Sequence, residues 1–154
     1  TAKKYANPVK EMQFDNTKIS GTKFKNQNTY GTSYKKNKDN AKYTVKAVNT
    51  SSNSYSCFIG GDGPVTVFYT DAPSDESIVI IKESFGNAFA TWAMNNYKKV
   101  CIVDPRKFNG FGGNNNHFNL DSFCKKMDID DVVFINYPVV VASQGIRSSI
   151  LSMK

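Results

Sequence analysis

The sequence predicts an α/β fold in which a sheet of parallel strands is preceded by a small antiparallel β region. The chain has 154 residues, of which 40% are hydrophobic and 21% charged, and this is enough to bury one apolar core. After residue 75, continuous apolar runs alternate with segments of helical spacing; before it, short alternating runs are separated by Gly, Asn and Ser. We therefore expect a single domain over residues 1–154, with a β-rich, Lys- and Asn-rich part (1–74) and a βαβαβα part (75–154).

The β-rich part contains three candidate strands. Residues 43–47 alternate apolar and polar side chains, as expected of a half-buried strand. Residues 55–59 and 65–69 are two further candidates, and a glycine-rich turn at 60–64 lies between them. This spacing predicts that the two strands form a hairpin.

The βαβαβα part contains three predicted buried strands, at residues 78–81, 100–103 and 132–135. Their continuous apolar runs are typical of parallel strands that are buried on both faces. Segments with an apolar helical stripe follow them, which predicts right-handed strand–helix–strand crossovers. The stripe residues are Phe85, Ala88, Phe89, Trp92, Ala93 and Tyr97 in the first helix, Leu120, Phe123, Cys124 and Met127 in the second, and Ile146, Ile150 and Leu151 in the third, at 143–153.

Basic character is confined to the first third of the chain. The net charge is +7, and residues 1–50 carry eleven lysines against three acidic residues. We interpret these lysines as a solvated surface of loops and edge strands, because that segment lacks arginine, the usual reader of bases and phosphates. Nucleic-acid binding is therefore the least favoured function, and no phosphate-binding glycine motif follows a strand, which argues against nucleotide binding.

Neither a cofactor nor a metal is expected. The three cysteines and one histidine lack the close spacing of a zinc site or a disulfide framework. Cys57, Cys101 and Cys124 fall in apolar runs or on an apolar helix face, which favours a role as small buried side chains. No apolar run approaches the ~20 residues of a membrane-spanning helix.

Polar residues that could carry chemistry follow the predicted parallel strands, where open sheets bind ligands. Ser84 lies between a strand and a helix, so its hydroxyl could cap the helix or act as a nucleophile beside free N–H groups. Ser84-x-Gly86 matches half of the G-x-S-x-G nucleophile elbow, with Lys82 in place of the first glycine. From these residues alone, the capping role is favoured.

Asp104 and Arg106 follow the next strand. Asp104 could close the turn by accepting bonds from local N–H groups, and Arg106 could hold an anionic or polar substrate group. The structural role is favoured for both. His117, the one histidine, lies in the Asn-rich loop at 109–119, and no feature brings it to Ser84. It is therefore an available base but not the expected one.

The ordered motifs of residues 20–137 resemble the DHHW family of bacterial proteins, which is similar to the SGNH-type domains of alginate-acetylation proteins. Residues 78–87 (IVIIKESFGN) resemble the family's strand followed by K-D-S-Y/F-x-N, and residues 100–106 (VCIVDPR) resemble its strand–D-x-R. The other similar segments are residues 129–134 (IDDVVF, like I-D-D-V-L), 55–62 (YSCFIGGD, like Y-x-x-F-x-G-G) and 21–24 (GTKF, like G-T-x-Y).

The resemblance implies an SGNH-hydrolase-like three-layer sandwich for the βαβαβα part. It implies that Ser84 is the nucleophile, that Asn87 and the Ser84 N–H contribute to an oxyanion site, and that Arg106 and Asp104 position the substrate. The family's Asp-His-His-Trp motif, which supplies the implied acid and base, is absent here, and Glu83 replaces the family's Asp. The chain is therefore expected to be either an N-terminally truncated, C-terminal portion of a longer protein, which is favoured, or a member that lacks the acid and base. On either interpretation it is catalytically incomplete alone.

Two functions follow from these observations. By resemblance, the chain is part of an SGNH-like serine esterase or O-acyltransferase that acts on cell-envelope carbohydrate or a small acyl ester, outside a bacterial cell or on its surface. The alternative is a non-catalytic module that binds a surface glycan or protein through the Tyr and Asn side chains of residues 26–43. An upstream Asp-His-His-Trp motif would favour the enzyme.

Overall fold

A computed structural model describes residues 19–24, 42–52, 54–107 and 118–153. These ranges form one six-stranded sheet with four α-helices. The strands are β1 (Ser20–Phe24), β2 (Lys42–Val45), β3 (Val65–Tyr69), β4 (Ser77–Lys82), β5 (Lys99–Val103) and β6 (Asp131–Ile135). The helices are α1 (Gly86–Ala93), α2 (Leu120–Met127), α3 (Pro138–Ala142) and α4 (Gln144–Leu151).

The sheet is mixed, with the strand order β2-β1-β3-β5-β4-β6. Strand β4 pairs in parallel with β5 and β6, whereas β3 pairs antiparallel with both β5 and β1, and β1 pairs antiparallel with β2. The α/β class is thus confirmed, with parallel pairing after residue 75 and antiparallel pairing before it. The sheet as a whole is not parallel, because the antiparallel β3–β5 ladder joins the two parts into one mixed sheet.

The predicted hairpin between residues 55–59 and 65–69 does not form. Tyr55–Cys57 is a 3-10 turn, and Phe58 makes only an isolated bridge to Val48. The next three residues, Ile59, Gly60 and Gly61, all have positive φ (50°, 69° and 76°), so the chain turns away before a strand ladder can develop. β3 pairs instead with strands that are distant in sequence.

Both faces of β4 and β5 are buried, as the sequence predicts. Alternate residues of β4 point to opposite faces: Val79 and Ile81 join a core with Phe123 of α2, whereas Ile78 and Ile80 join a core with residues of α1. The third predicted buried strand is different. β6 lies at the sheet edge, and Val132 and Phe134 are exposed because no further strand pairs with β6 within the described ranges.

Helix α1 packs through a face that overlaps its predicted apolar stripe only in part. Of the stripe, Phe89 and Trp92 are exposed and Ala93 is buried, while Ala90, outside the stripe, is fully buried. Small residues occupy the buried face because the helix approaches the sheet closely: a Cβ on Gly86 would lie 2.4 Å from the Cβ of Lys82. The helix was predicted correctly from its period, but its buried face only in part.

The buried faces of the other two predicted helices agree more closely with the structure. In α2, Phe123 is fully buried, and the other stripe residues pack against the same core. In α4, Ile146 is buried as predicted, but Leu151 is exposed at the end of the helix. Helix α3, which begins at Pro138, was not predicted.

The predicted burial of the cysteines is confirmed for Cys101 alone. All three cysteines are free, and Cys57 and Cys124 are only partly buried. Cys101 is buried, and burial raises its pKa to about 12. This thiol is therefore a poor nucleophile. In the described part of the chain, no helix combines the length and the apolar composition needed to cross a membrane.

Candidate functional site

Three loops meet at one end of the strands, where β4 and β5 finish and β3 begins. β4 and β5 are parallel, so their carboxyl ends, which lead to Ser84 and to Asp104, lie side by side. β3 runs antiparallel to β5, and Val65 pairs with Val103, so the turn that precedes β3 reaches the same edge. This turn carries Asp62. The mixed sheet therefore brings together residues from three separate segments.

The Ser84 hydroxyl is held between a carboxylate and a guanidinium. Its Oγ donates to Asp62 Oδ2 at 2.8 Å and accepts from Arg106 Nη2 at 2.9 Å. Arg106 Nη2 also lies 3.0 Å from Asp62 Oδ2, so the three groups form a closed triangle. Ser84 is half-buried, and its orientation is fixed by two charged partners.

Ser84 does not cap helix α1, so that interpretation is wrong. The cap residue is Phe85, which makes no side-chain cap bond, and the Phe85 N–H donates to Glu83 Oε2 at 3.2 Å. The Asp62–Arg106 pair engages the hydroxyl that would otherwise cap the helix.

Asp104 orients Arg106. The Asp104 side chain is fully buried and accepts from the Arg106 backbone N–H at 3.1 Å, as the turn-closing role predicts. It also accepts from Arg106 Nε at 2.9 Å and from Nη2 at 2.7 Å. This hydrogen bonding raises the pKa of Arg106, so the guanidinium stays charged and points toward Ser84. About a quarter of the Arg106 side chain (23%) is exposed and can meet a ligand.

Asp62 is the site residue that sequence reasoning missed. Besides Ser84 and Arg106, its carboxylate accepts from Lys82 Nζ at 2.9 Å and from Asn87 Nδ2 at 3.0 Å. Burial alone would raise the pKa of Asp62, but the hydrogen bond and charge of Lys82, with the bonds from Ser84 and Asn87, hold it well below its usual range. The Gly-Gly-Asp-Gly turn was the available signal, and it was interpreted only as a turn.

Two buried lysines stabilise Asp62 and the turn that carries it. Lys82, which stands where the nucleophile elbow has glycine, bridges Asp62 Oδ1 at 2.9 Å and Asp104 Oδ2 at 3.1 Å. Lys23, at the end of β1, donates from Nζ to the carbonyl oxygens of Gly60 at 2.8 Å and Gly61 at 2.6 Å. Burial, and then the charge of Lys82, lower the pKa of Lys23 to about 8.

The roles of Asn87 as an oxyanion donor and of His117 as an available base stay predictions. Asn87 contacts Asp62 rather than an open oxyanion position, and its buried Oδ1 has no hydrogen-bond partner among the described residues, as is also true of Glu83 Oε1. His117 lies outside the described residues. Among the residues that are described, no group of His, Cys, Asp and Glu could hold a metal ion.

The site presents a serine hydroxyl that is oriented but not deprotonated. Asp62 has too low a pKa to accept the Ser84 proton effectively, because a general base works best with a pKa near the working pH. Arg106 places positive charge beside Oγ, where it can stabilise negative charge that develops on the serine or on a bound carbonyl oxygen. The described residues thus place an oriented serine hydroxyl beside a cation, without a matched base.

The fold and the site together are an α/β sheet with a serine hydroxyl held by two charged side chains at a strand–helix turn. The family model "DHHW protein" matches residues 14–103. This match covers more than half of the chain. The chain therefore belongs to the DHHW family.

Solved structures share this fold. A DHHW family protein from Eubacterium siraeum is 20% identical with a TM-score of 0.60, covering 84% of this chain and 40% of that one. Bacillus cereus PatB1 with a sulfonyl adduct is 16% identical with a TM-score of 0.57, covering 83% of this chain and 39% of that one. This chain thus spans about two fifths of these proteins. No curated protein matches it.

Proposed function

We propose that the chain is the serine-bearing, C-terminal portion of an SGNH-like serine esterase or O-acyltransferase that acts on cell-envelope carbohydrate. One observation carries the proposal: Ser84 Oγ lies 2.9 Å from Arg106 Nη2 and 2.8 Å from Asp62 Oδ2 at the carboxyl edge of the parallel strands. Membership of the DHHW family and the fold shared with PatB1, whose structure carries a sulfonyl adduct, support an acyltransferase-like role.

The proposed reaction proceeds in two acyl transfers through Ser84. Oγ attacks the carbonyl carbon of an acyl ester while its proton passes to a base; the carbon–oxygen bond to the leaving alcohol then breaks, and the alcohol takes the proton. An acceptor hydroxyl, or water, next attacks the carbonyl carbon of the acyl-serine while its own proton passes to the base; the bond between that carbon and Oγ then breaks, and Oγ takes the proton. Arg106 and the Ser84 N–H stabilise the tetrahedral oxyanion in both steps, and Asn87 holds Asp62 in place.

The base in this scheme is a histidine from an Asp-His-His-Trp segment, which this chain does not contain. The low pKa of Asp62 supports this assignment, since Asp62 is suited to orient Ser84 rather than to deprotonate it. By resemblance, we place the complete protein outside a bacterial cell or on its surface. The substrate is a carbohydrate or a small acyl ester, and no cofactor takes part.

The low pKa of Asp62 also favours a second candidate function. Without a base, the chain alone suits a non-catalytic module that binds a surface glycan or protein. Of the segment at 26–43 that was predicted to carry such binding, residues 26–41 lie outside the described residues. The two candidates differ in one observable, namely turnover that depends on Ser84.

Hydrolysis of 4-nitrophenyl acetate tests the proposal. We would compare the chain alone with the chain joined to an upstream segment that carries an Asp-His-His-Trp motif, each as wild type, Ser84→Ala and Ser148→Ala. We expect turnover in the joined form that Ser84→Ala reduces to the uncatalysed rate, because Oγ is the attacking atom. Ser148→Ala, at an exposed serine of α4, should leave the rate unchanged. Equal rates in all joined forms would move the binding module to first place.

A further inference from the structure

Three exposed aromatic rings form a continuous surface beside Ser84. Tyr55, Phe85 and Tyr137 are 44%, 66% and 53% exposed, respectively. The Tyr55 and Phe85 rings meet edge to face, with centroids 6.4 Å apart and an interplanar angle of 60°, whereas the Phe85 and Tyr137 rings are 5.6 Å apart and tilted by 35°. Phe85 and Tyr137 therefore form the flatter part of this surface. We call these three rings the aromatic platform. Exposure of neighbouring large aromatic side chains is unfavourable in water and marks a contact surface.

The fold places the platform on one side of Ser84. Phe85 directly follows Ser84, and Tyr137 follows β6, whose Ile135 pairs with Lys82 of β4. Tyr55 is tied to the same point because its hydroxyl donates to the Phe85 carbonyl oxygen at 2.9 Å. Two of the rings thus lie on the β4–β6 side of the edge, whereas Asp104 and Arg106 follow β5 on the other side. Ser84 stands where an aromatic half meets a charged half.

The shape of the platform indicates what it binds. An alkyl chain gains most from an enclosed apolar cavity, and these rings are open to solvent. The apolar cavity of about 480 Å³ beside α2 and α4 is lined by none of them. A sugar ring, in contrast, has flat C–H faces that stack on an open aromatic surface and hydroxyl edges that bond to charged groups. The border position of Ser84 matches this combination.

We propose that the aromatic platform is a saccharide subsite, in which a sugar ring lies against Phe85 and Tyr137 with one hydroxyl directed toward Ser84. Tyr55 holds the Phe85 backbone in place and extends the surface. The inference rests on the proposed function for the role of Ser84, because the hydroxyl so directed is the one that would carry or receive the acyl group. Binding itself needs no acyl transfer and can be measured on this chain.

Calorimetric titration of the full chain with chitotetraose and with a tetramer of mannuronate tests the subsite. We expect at least one oligosaccharide to bind, and Phe85→Ala and Tyr137→Ala each to weaken binding about three- to tenfold, the range of one aromatic contact. Phe85→Trp should restore binding. Tyr69→Ala is the matched control, because Tyr69 is equally exposed (52%) and lies at the opposite end of the strands from Ser84, where it pairs with Lys99. It should leave the affinity unchanged.

The outcomes separate this inference from the proposed function. Binding that persists in Ser84→Ala and is lost in Phe85→Ala supports the subsite even if no ester is turned over. The inference is overturned if neither oligosaccharide binds, or if Tyr69→Ala weakens binding as much as Tyr137→Ala does. Thermal unfolding of each variant identifies loss of fold, and in that case Phe85→Trp and Tyr137→Phe carry the comparison.

Discussion

The buried charged side chains of the site are stable because they form ion pairs with one another. Lys82 is fully buried, and it is stable there because Asp62 and Asp104 both accept from its ammonium group. A glycine at this position, as in the nucleophile elbow, would leave both carboxylates without that cation. Removing one member of such a buried set costs more than the set contributes, because the remaining charges lose their partners. The departure of Lys82 from the elbow pattern is therefore part of the site.

Lys23 makes the free energy of unfolding depend on pH. Its folded-state pKa is about 8, whereas the ordinary value is 10.5, so the unfolded chain binds more protons between these pH values. The contribution of Lys23 to the free energy of unfolding therefore rises as pH increases from about 8 to 10.5. We expect Lys23→Met to remove this rise, measured by urea unfolding at several pH values.

The control for this prediction is Lys46→Met, at an exposed lysine just after β2. That variant should keep the pH dependence of the wild type. Above about pH 10.5, where the burial cost of the Lys23 charge is gone, Lys23→Met should lower stability, because the carbonyl oxygens of Gly60 and Gly61 lose a donor. A pH profile that is the same in Lys23→Met as in the wild type would contradict the assignment.

At the scale of elements, local patterns were enough where burial follows the period of the chain. β4, β5 and α2 were predictable because their apolar residues repeat with the strand or helix period and all face a core. The hairpin at 55–69 was not predictable, because Ile59 also adopts a positive φ and no residue type signals that. β6 was placed correctly in sequence, but burial depends on the neighbouring strand, which a run of Val and Phe does not reveal.

Helix α1 shows how close packing can override an apolar stripe, and this can be tested with one substitution at two positions. Ala90 is fully buried against the sheet, whereas Ala88, on the stripe, is half-buried. We expect Ala90→Leu to lower the free energy of unfolding by about 1–3 kcal/mol through overpacking. Ala88→Leu should change it by less than about 0.5 kcal/mol. Urea unfolding that ranks the two variants in the opposite order would mean that the stripe faces the core.

At the scale of the whole molecule, the site depends on strand order, which the sequence does not encode locally. Ser84 and Arg106 could be placed at one edge because parallel strands share their carboxyl ends. Asp62 could not, since its place follows from the antiparallel pairing of β3 with β5. The antiparallel strands therefore supply the carboxylate that orients the serine, and both halves of the sheet are needed for the site.

The length of the relatives has the same implication for function. This chain covers 40% of the Eubacterium siraeum protein and 39% of PatB1. The described residues hold a serine, its orienting carboxylate and a cation, and the base of the proposed reaction belongs to a segment with the Asp-His-His-Trp motif. In the proposed function, Ser84 is therefore one part of a composite site: residues of this chain orient its hydroxyl, and the base comes from such a segment.

The central claim, that Ser84 is a nucleophile activated by such a segment, is tested most directly by covalent labelling with methanesulfonyl fluoride and peptide mass spectrometry. We expect the form joined to an Asp-His-His-Trp segment to carry the sulfonyl group on Ser84 and on no other serine, and the chain alone to react far more slowly. Arg106→Ala should slow the labelling of the joined form, because the developing negative charge loses its cation. A joined form that stays unlabelled at Ser84, or carries the label elsewhere, would contradict the account.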